Sequence, residues 1–232
     1  MNTSSKFAVN KSTQITTEEL DGSKIWVFDN FYQNPDEVKD FILSKRPYVH
    51  KGTDAKTWNK IHFLDLRHDI NVDVSHVYDF LKTFSNQVYL DSNILSNCSK
   101  FLTDSSFNSY KTHYWWPHLD YGYTGIVYLN DDNEYGTNLY EIKHPENYPA
   151  DNINDAPLDT PEHWEPWREK YKYKLLKTLK PKYNRCILFD AKKFLHGQHV
   201  AGERYFHDEF RLNQVFFFCE NPPNPDGVTL NV

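Results

Sequence analysis

His118, Asp120 and His196 are the side chains whose types and spacing best suit metal chemistry in this sequence. A mononuclear iron that activates oxygen takes three protein ligands on one face, two histidines and a carboxylate, and keeps its other positions open. In "PHLDYGYTGIVYLND" His118 and Asp120 stand two residues apart, so at the end of a strand both side chains can point to the same face. In "RCILFDAKKFLHGQHVAG" a buried strand ends near Asp190, a lysine-containing turn follows, and His196 opens the next strand.

The pair alone carries little weight. With 11 histidines in the chain, an HxD or HxE triplet arises about once or twice by chance from ordinary acidic-residue usage. "HPE" at 144 to 146, "HWE" at 163 to 165 and "HDE" at 207 to 209 are such decoys, in polar or charged stretches where a solvated histidine is the usual outcome. His118 differs because it lies between two β-type runs and has a matching strand, turn and histidine downstream. His199 competes with His196, but the strand-to-turn spacing suits His196, and His199 just past the glycine reads as an ordinary hydrogen-bonding residue. His113, upstream of the pair, reads as structural or part of a pocket rim.

The elements that must position these groups are mostly strands. "KIWVFDNF" reads as a strand, and residues 1 to 22 before it as a loosely ordered lead-in. In "NPDEVKDFILSKRP", Asn34 can cap, Pro35 takes a first-turn position, and Val38, Phe41 and Ile42 share a face, which predicts a helix. A second helix is predicted in "DVSHVYDFLKTFSNQ", where Val77, Phe80, Leu81 and Phe84 recur at helical spacing. From about residue 100 the texture becomes short β-rich runs: "KFLTDSSF", "SYKTHYWW", "TGIVYLN", "TNLYEI", "RCILFD" and "RLNQVFFF". A polar, proline-containing insertion occupies roughly residues 143 to 170, and its continuation "YKYKLLKTLKPKYN" suits a short helix or a strand equally.

Composition sets the outer bounds. The 232 residues fit one domain, 1 to 232, and its 16 Tyr, 16 Phe and 6 Trp must supply much of the buried area. A net charge of -6 without a long Lys/Arg run lacks the footprint of a nucleic-acid binder. No stretch approaches the ~20 apolar residues that span a bilayer. The three cysteines, Cys98, Cys186 and Cys219, are odd in number and widely spaced, which argues against a disulfide framework and for a reducing, cytoplasmic compartment. Oligomeric state is not legible.

The order "YKTHYWWPHLD", "TGIVYLND", "YGT", "RCILFDAKKFLHG", "RLNQVFFF", from about Lys100 to Phe218, resembles the prolyl-4-hydroxylase-like branch of the 2-oxoglutarate/Fe(II)-dependent oxygenases. The resemblance implies a mainly β fold with flanking helices, its core a double-stranded β-helix of the jelly-roll or cupin kind over 100 to 219, supported by strands and helices over 23 to 99. It implies His118, Asp120 and His196 as ligands to Fe(II), with 2-oxoglutarate and O2 as cosubstrates and ascorbate as an accessory reductant. It further asks for a basic residue on a late strand to hold the far carboxylate of 2-oxoglutarate, and two arginines compete. Arg211 opens "RLNQVFFF", sharing a strand face with Asn213, so guanidinium and amide could meet a carboxylate together. Arg204 in "GERYF" lies nearer the spacing usual in the family. Arg211 is preferred because its strand is the more plausible inward-facing one, with "YFHDEF" as a lengthened turn. Tyr110 and Trp115, and Tyr128 and Asn130 on the strand after the metal pair, are further pocket candidates, each with core packing as its plainer role. Gly136 and Thr137 mark a bend where the family usually has two glycines.

The activity so implied is hydroxylation of an unactivated C–H bond in a peptide residue, prolyl among them, or in a small metabolite, with release of succinate and CO2. Trp164 and Trp167 make the insertion a lid candidate, with a solvated loop as the alternative. A reading from another class is a non-catalytic jelly-roll module whose rings serve carbohydrate or protein contacts. A cupin-type metal protein without the cosubstrate is a third.

Overall fold

A computed structural model describes residues 6–49, 63–70, 72–89, 94–101, 110–120, 122–130, 136–143, 167–200 and 211–219. The described strands are β1 (Gln14–Leu20), β2 (Ser23–Asp29), β3 (Pro47–Val49), β4 (Phe63–Ile70), β5 (Val88–Tyr89), β6 (Ile94–Phe101), β7 (His113–Trp115), β8 (Tyr123–Tyr128), β9 (Thr137–Ile142), β10 (Trp167–Glu169), β11 (Tyr173–Leu179), β12 (Arg185–Asp190), β13 (Leu195–Gln198) and β14 (Arg211–Cys219). Two helices, α1 (Pro35–Leu43) and α2 (Ser75–Ser85), fall where the apolar spacing predicts them. The fold is mainly β, and its strand pairings are antiparallel.

A large sheet runs β1-β2-β12-β8-β14-β6-β4-β3, with β5 beside β14, and a small sheet runs β11-β9-β13. Strand parity distributes the large sheet's side chains between two cores. One parity, including Ile25, Val27, Ile126, Tyr128, Ile187 and Phe189, packs with Leu139 and Leu179 of the small sheet. The other, including Phe28, Val127, Cys186, Leu188, Leu212, Phe216 and Phe218, packs with Val38, Ile42, Val77 and Leu81 of the helices. Rings dominate the helix side: Phe28 and Phe84 meet edge-on at 4.9 Å, and Tyr78 stands against Phe216 at 5.2 Å and Phe218 at 5.3 Å. Many of the described rings thus brace the sheet from behind.

Three local expectations are revised. Residues 14 to 20 are an edge strand rather than a loose lead-in: β1 forms a hairpin with β2 across Asp21 and Gly22, whose φ of 46° and 74° suit the left-handed turn such a hairpin needs. Asn34 stands at the cap of α1, but its side chain makes no capping hydrogen bond. The ambiguous stretch after the insertion resolves into the strand β11, preceded by a 3-10 turn at Lys170–Lys172. Residues 144–166 of the insertion, with Trp164 and two of the decoy triplets, lie outside the described residues, as do Arg204 and "HDE" at 207 to 209. Among the described residues no helix is long and apolar enough to cross a membrane.

One ion pair ties the hairpin to the sheet. Arg185 on β12 grips Asp29 on β2 with both arms, Nε to Oδ1 at 2.8 Å and Nη2 to Oδ2 at 3.0 Å, and Lys182 adds a contact at 3.4 Å. The Arg185 hydrogen bonds and charge, helped by Lys182, hold the Asp29 carboxyl below its usual range against the opposing effect of burial. Such a depressed carboxyl stabilises the fold fully above the ordinary carboxylate pKa and loses that contribution as the pH falls through its lowered value. Asp29→Asn should therefore cost about 1–2 kcal/mol at pH 7. In urea titrations that deficit should shrink towards pH 3; a deficit independent of pH would mean that packing, not charge, explains the contact.

Candidate metal centre

β7 ends at Trp115, earlier than a strand carrying both His118 and Asp120 would require. Trp116 then adopts a left-handed φ of 47°, and the chain joins the small sheet through a single bridge between His118 and His196. The two residues exchange both backbone hydrogen bonds, His118 N to His196 O at 3.0 Å and His196 N to His118 O at 2.8 Å. Directly opposed residues of an antiparallel pair place their side chains on one face, and the imidazole centroids lie 4.3 Å apart. The next segment is laced to the turn after β12: Asp120 N donates to Ala191 O at 3.0 Å, and Ala191 N donates to Gly122 O at 2.9 Å. That turn is itself held by Asp190, whose Oδ1 accepts from the backbone N of Lys192 and of Lys193.

The result is a His–Asp–His cluster. His196 Nε2 lies 3.2 Å from Asp120 Oδ2, His118 Nε2 lies 3.9 Å from Asp120 Oδ1, and one ligand atom from each residue falls within 4.8 Å of the others. Ligand atoms roughly 3 Å apart share a cation at bonds of about 2.1 Å, so the His196–Asp120 separation already suits a shared ion and His118 must draw in to complete the set. The imidazoles are also oriented for this purpose. His118 Nδ1 lies 2.7 Å from Trp116 O, and His196 Nδ1 faces Phe194 O at 3.4 Å. A carbonyl only accepts, so each Nδ1 carries a proton and each Nε2 is the atom turned towards Asp120. A bare Nε2 against a carboxylate is repulsive, so the arrangement calls for positive charge between them, a proton or a metal ion.

Asp120 is suited to that charge. Burial pushes its carboxyl up, but the charges of His196 and His118 and the hydrogen bond from Thr124 Oγ1, at 2.7 Å, outweigh it and hold the group well below the usual carboxylate range. The carboxylate therefore stays ionised and ready to ligate. His199 stays outside the cluster: its backbone N donates to Gly136 O at 3.0 Å, and burial together with the Lys170 charge lowers its imidazole's affinity for a proton. His113 meets the Thr112 hydroxyl at 2.8 Å.

A second polar group lies between the sheets. Arg211, at the start of β14, is buried, and its Nη2 donates to Thr137 Oγ1 at 3.3 Å and to Gly136 O at 3.4 Å. Asn213, with its amide oxygen turned to the guanidinium, accepts from Nη1 at 2.5 Å and Nη2 at 3.3 Å. Tyr128 lies opposite Asn213 in the β8–β14 register, carries the guanidinium carbon 5.7 Å from its ring centroid, and shares a hydrogen bond with Thr137 at 2.8 Å. Burial raises the Tyr128 hydroxyl above its ordinary range despite the Arg211 charge, so it is neutral and able to donate.

The register relates the two groups. His196 pairs with Leu139 and Gln198 pairs with Thr137, so Arg211 meets the small sheet two residues along from the His196 position. Two residues of strand span about 7 Å, and i and i+2 share a face. Of the other pocket candidates, Asn130 is committed to structure, accepting from Leu212 N. Trp115 is buried edge-on against Trp167 at 4.9 Å, and Tyr110 is half-buried in the helical turn before β7. Gln198, buried on this face, carries no metal or acid–base signature, yet the i, i+2 rule that groups Arg211 with Asn213 also groups it with His196. No family model and no curated protein matches the chain.

Proposed function

We propose that this chain is an Fe(II)- and 2-oxoglutarate-dependent oxygenase built on a double-stranded β-helix, hydroxylating a C–H bond in a peptide residue or a small metabolite. The observation that carries the reading is the pairing of a two-histidine, one-carboxylate cluster with a buried arginine one strand step away on the same inner face. Two nitrogens and one carboxylate on one face are the donor set that suits ferrous iron with open positions.

The strand order supports the same reading. Apart from β7 and β10, which pair with each other, the chain from β6 onward crosses between the sheets in the order β6 large, the His118 bridge small, β8 large, β9 and β11 small, β12 large, β13 small, β14 large. Two four-membered layers, β12-β8-β14-β6 and β11-β9-β13 with the His118 bridge, are what a double-stranded β-helix requires.

When bound, iron and 2-oxoglutarate supply the oxidation of a C–H bond coupled to decarboxylation of the cosubstrate to succinate and CO2. The chain's own part is geometry. His118, Asp120 and His196 hold the ion through Nε2, carboxylate and Nε2. Arg211 pairs its planar fork with the far carboxylate of 2-oxoglutarate, while Thr137, Gly136 and Asn213 hold that fork in place. Phe189 stands edge-on to His196 at 5.2 Å and packs with Ile126, Ile187 and Leu139, so this side of the cluster is apolar, which strengthens the charge interactions there. The substrate class spans peptides, prolyl-containing ones included, and small metabolites.

The test is anaerobic addition of Fe(II) and 2-oxoglutarate, read by the weak visible charge-transfer band of the chelate. The band should form, and His118→Ala should abolish it. Arg211→Leu should leave ferrous affinity intact and weaken 2-oxoglutarate roughly a hundredfold. Retention in Arg211→Leu with loss in Arg204→Ala would transfer the anchor to Arg204. A protein that binds iron but never gives the band is no 2-oxoglutarate enzyme.

A further inference from the structure

The arginine layer contains one buried donor that the reading above leaves unused. Gln198 is 9% exposed, and its Nε2 has no hydrogen-bond partner among the described residues. Folded interiors seldom leave an amide N–H unsatisfied, and where they do the group calls for an explanation, a functional role among them. Its position is defined by strand parity. Gln198 follows His196 by two residues on β13, so both face the interior, and it lies opposite Thr137, which accepts from Arg211 at 3.3 Å. Gln214 offers the instructive contrast. Its Nε2 is also unpartnered among the described residues, but its Oε1 accepts from Tyr32 at 2.6 Å on the helix side of the large sheet, away from the two-sheet interior.

We infer that Gln198 is a specificity-determining residue that donates its side-chain N–H to the far carboxylate of the cosubstrate beside Arg211. This rests on the oxygenase reading and extends it: the far carboxylate is met by a cation from β14 and by a neutral donor from β13. A cation alone attracts any anion. A second donor fixed on the opposing sheet rewards a carboxylate that arrives at the correct distance from the metal, and so favours a diacid of one length.

The probes are 2-oxoglutarate and 2-oxovalerate, an acid of the same carbon number that lacks the far carboxylate. Both are titrated anaerobically by calorimetry into the Fe(II)-loaded protein, with ferrous affinity measured separately. Gln198→Met, matched in length, should leave iron binding unchanged and weaken 2-oxoglutarate about tenfold while barely changing 2-oxovalerate. The preference for the diacid then falls about tenfold. Gln198→Glu should lower it further, because a buried carboxylate repels another. Equal loss for both acids in Gln198→Met, or no loss for either, overturns the assignment of Gln198; if Arg211→Leu still loses 2-oxoglutarate, the oxygenase reading survives that result. A wild-type protein that binds iron but neither acid overturns both.

Discussion

Asp120→Asn should lose ferrous iron almost completely, with affinity falling by well over about a hundredfold. Removing a group that merely orients a ligand already costs roughly ten- to a hundredfold, and here a ligand charge is removed outright. An amide is close in shape, so the variant isolates charge: Thr124 can still hydrogen-bond at this position, and the neighbouring backbone bond to Ala191 is unaffected. What changes is the attraction that gathers two Nε2 atoms around one point. Asp120→Glu keeps the charge but lengthens the arm, and should retain measurable but weakened binding. Calorimetric titration with Fe(II) under argon reads both variants. Unchanged affinity in Asp120→Asn would remove the metal centre from the account.

The same electrostatics bear on pH. Burial opposes ionisation of Asp120, yet the imidazole charges and the Thr124 hydroxyl keep it ionised far below the ordinary carboxylate range. Mild acid therefore leaves the carboxylate intact. Metal should accordingly not be lost in mild acid through protonation of Asp120.

The convergence of His118, Asp120 and His196 was legible because these are rare residue types at a diagnostic spacing. His118 and Asp120 needed only a local extended segment, and His196 needed a strand and a short turn. The helices were legible for a similar reason: Val77, Phe80, Leu81 and Phe84 repeat at a spacing that only a helix uses, and they pack as expected. β1 was lost because an edge strand exposed on both faces has no alternation to show; the Asp21-Gly22 pair was the available signal. Gln198 was missed because an amide advertises no chemistry until its register is known. The left-handed Trp116 and the backbone approach at Gly197 depend on what lies opposite them, which local sequence does not state.

Gly197 supplies the other large effect, and it acts without touching a ligand atom. It sits between His196 and Gln198 on β13, where a Cβ would lie 2.2 Å from the Trp115 carbonyl oxygen and 3.0 Å from that of Trp116. Those atoms are backbone, so no side-chain rotation relieves the clash; β13 must draw back from the His118 segment. Gly197→Ala should cost about 3 kcal/mol or more, which for a chain of this size lowers Tm by roughly 6–12 °C. Because the displaced contact is the one that opposes His118 to His196, ferrous affinity should fall at least about tenfold with all three ligands present. Gly22→Ala is the control: its φ of 74° makes alanine strained, but open space surrounds it and the hairpin lies outside the metal cluster. It should cost about 1 kcal/mol and leave iron binding alone. If Gly197→Ala instead matched Gly22→Ala in both readouts, β13 would not lie against Trp115 and Trp116. The geometry that turns two distant histidines towards one aspartate would then have to be drawn differently.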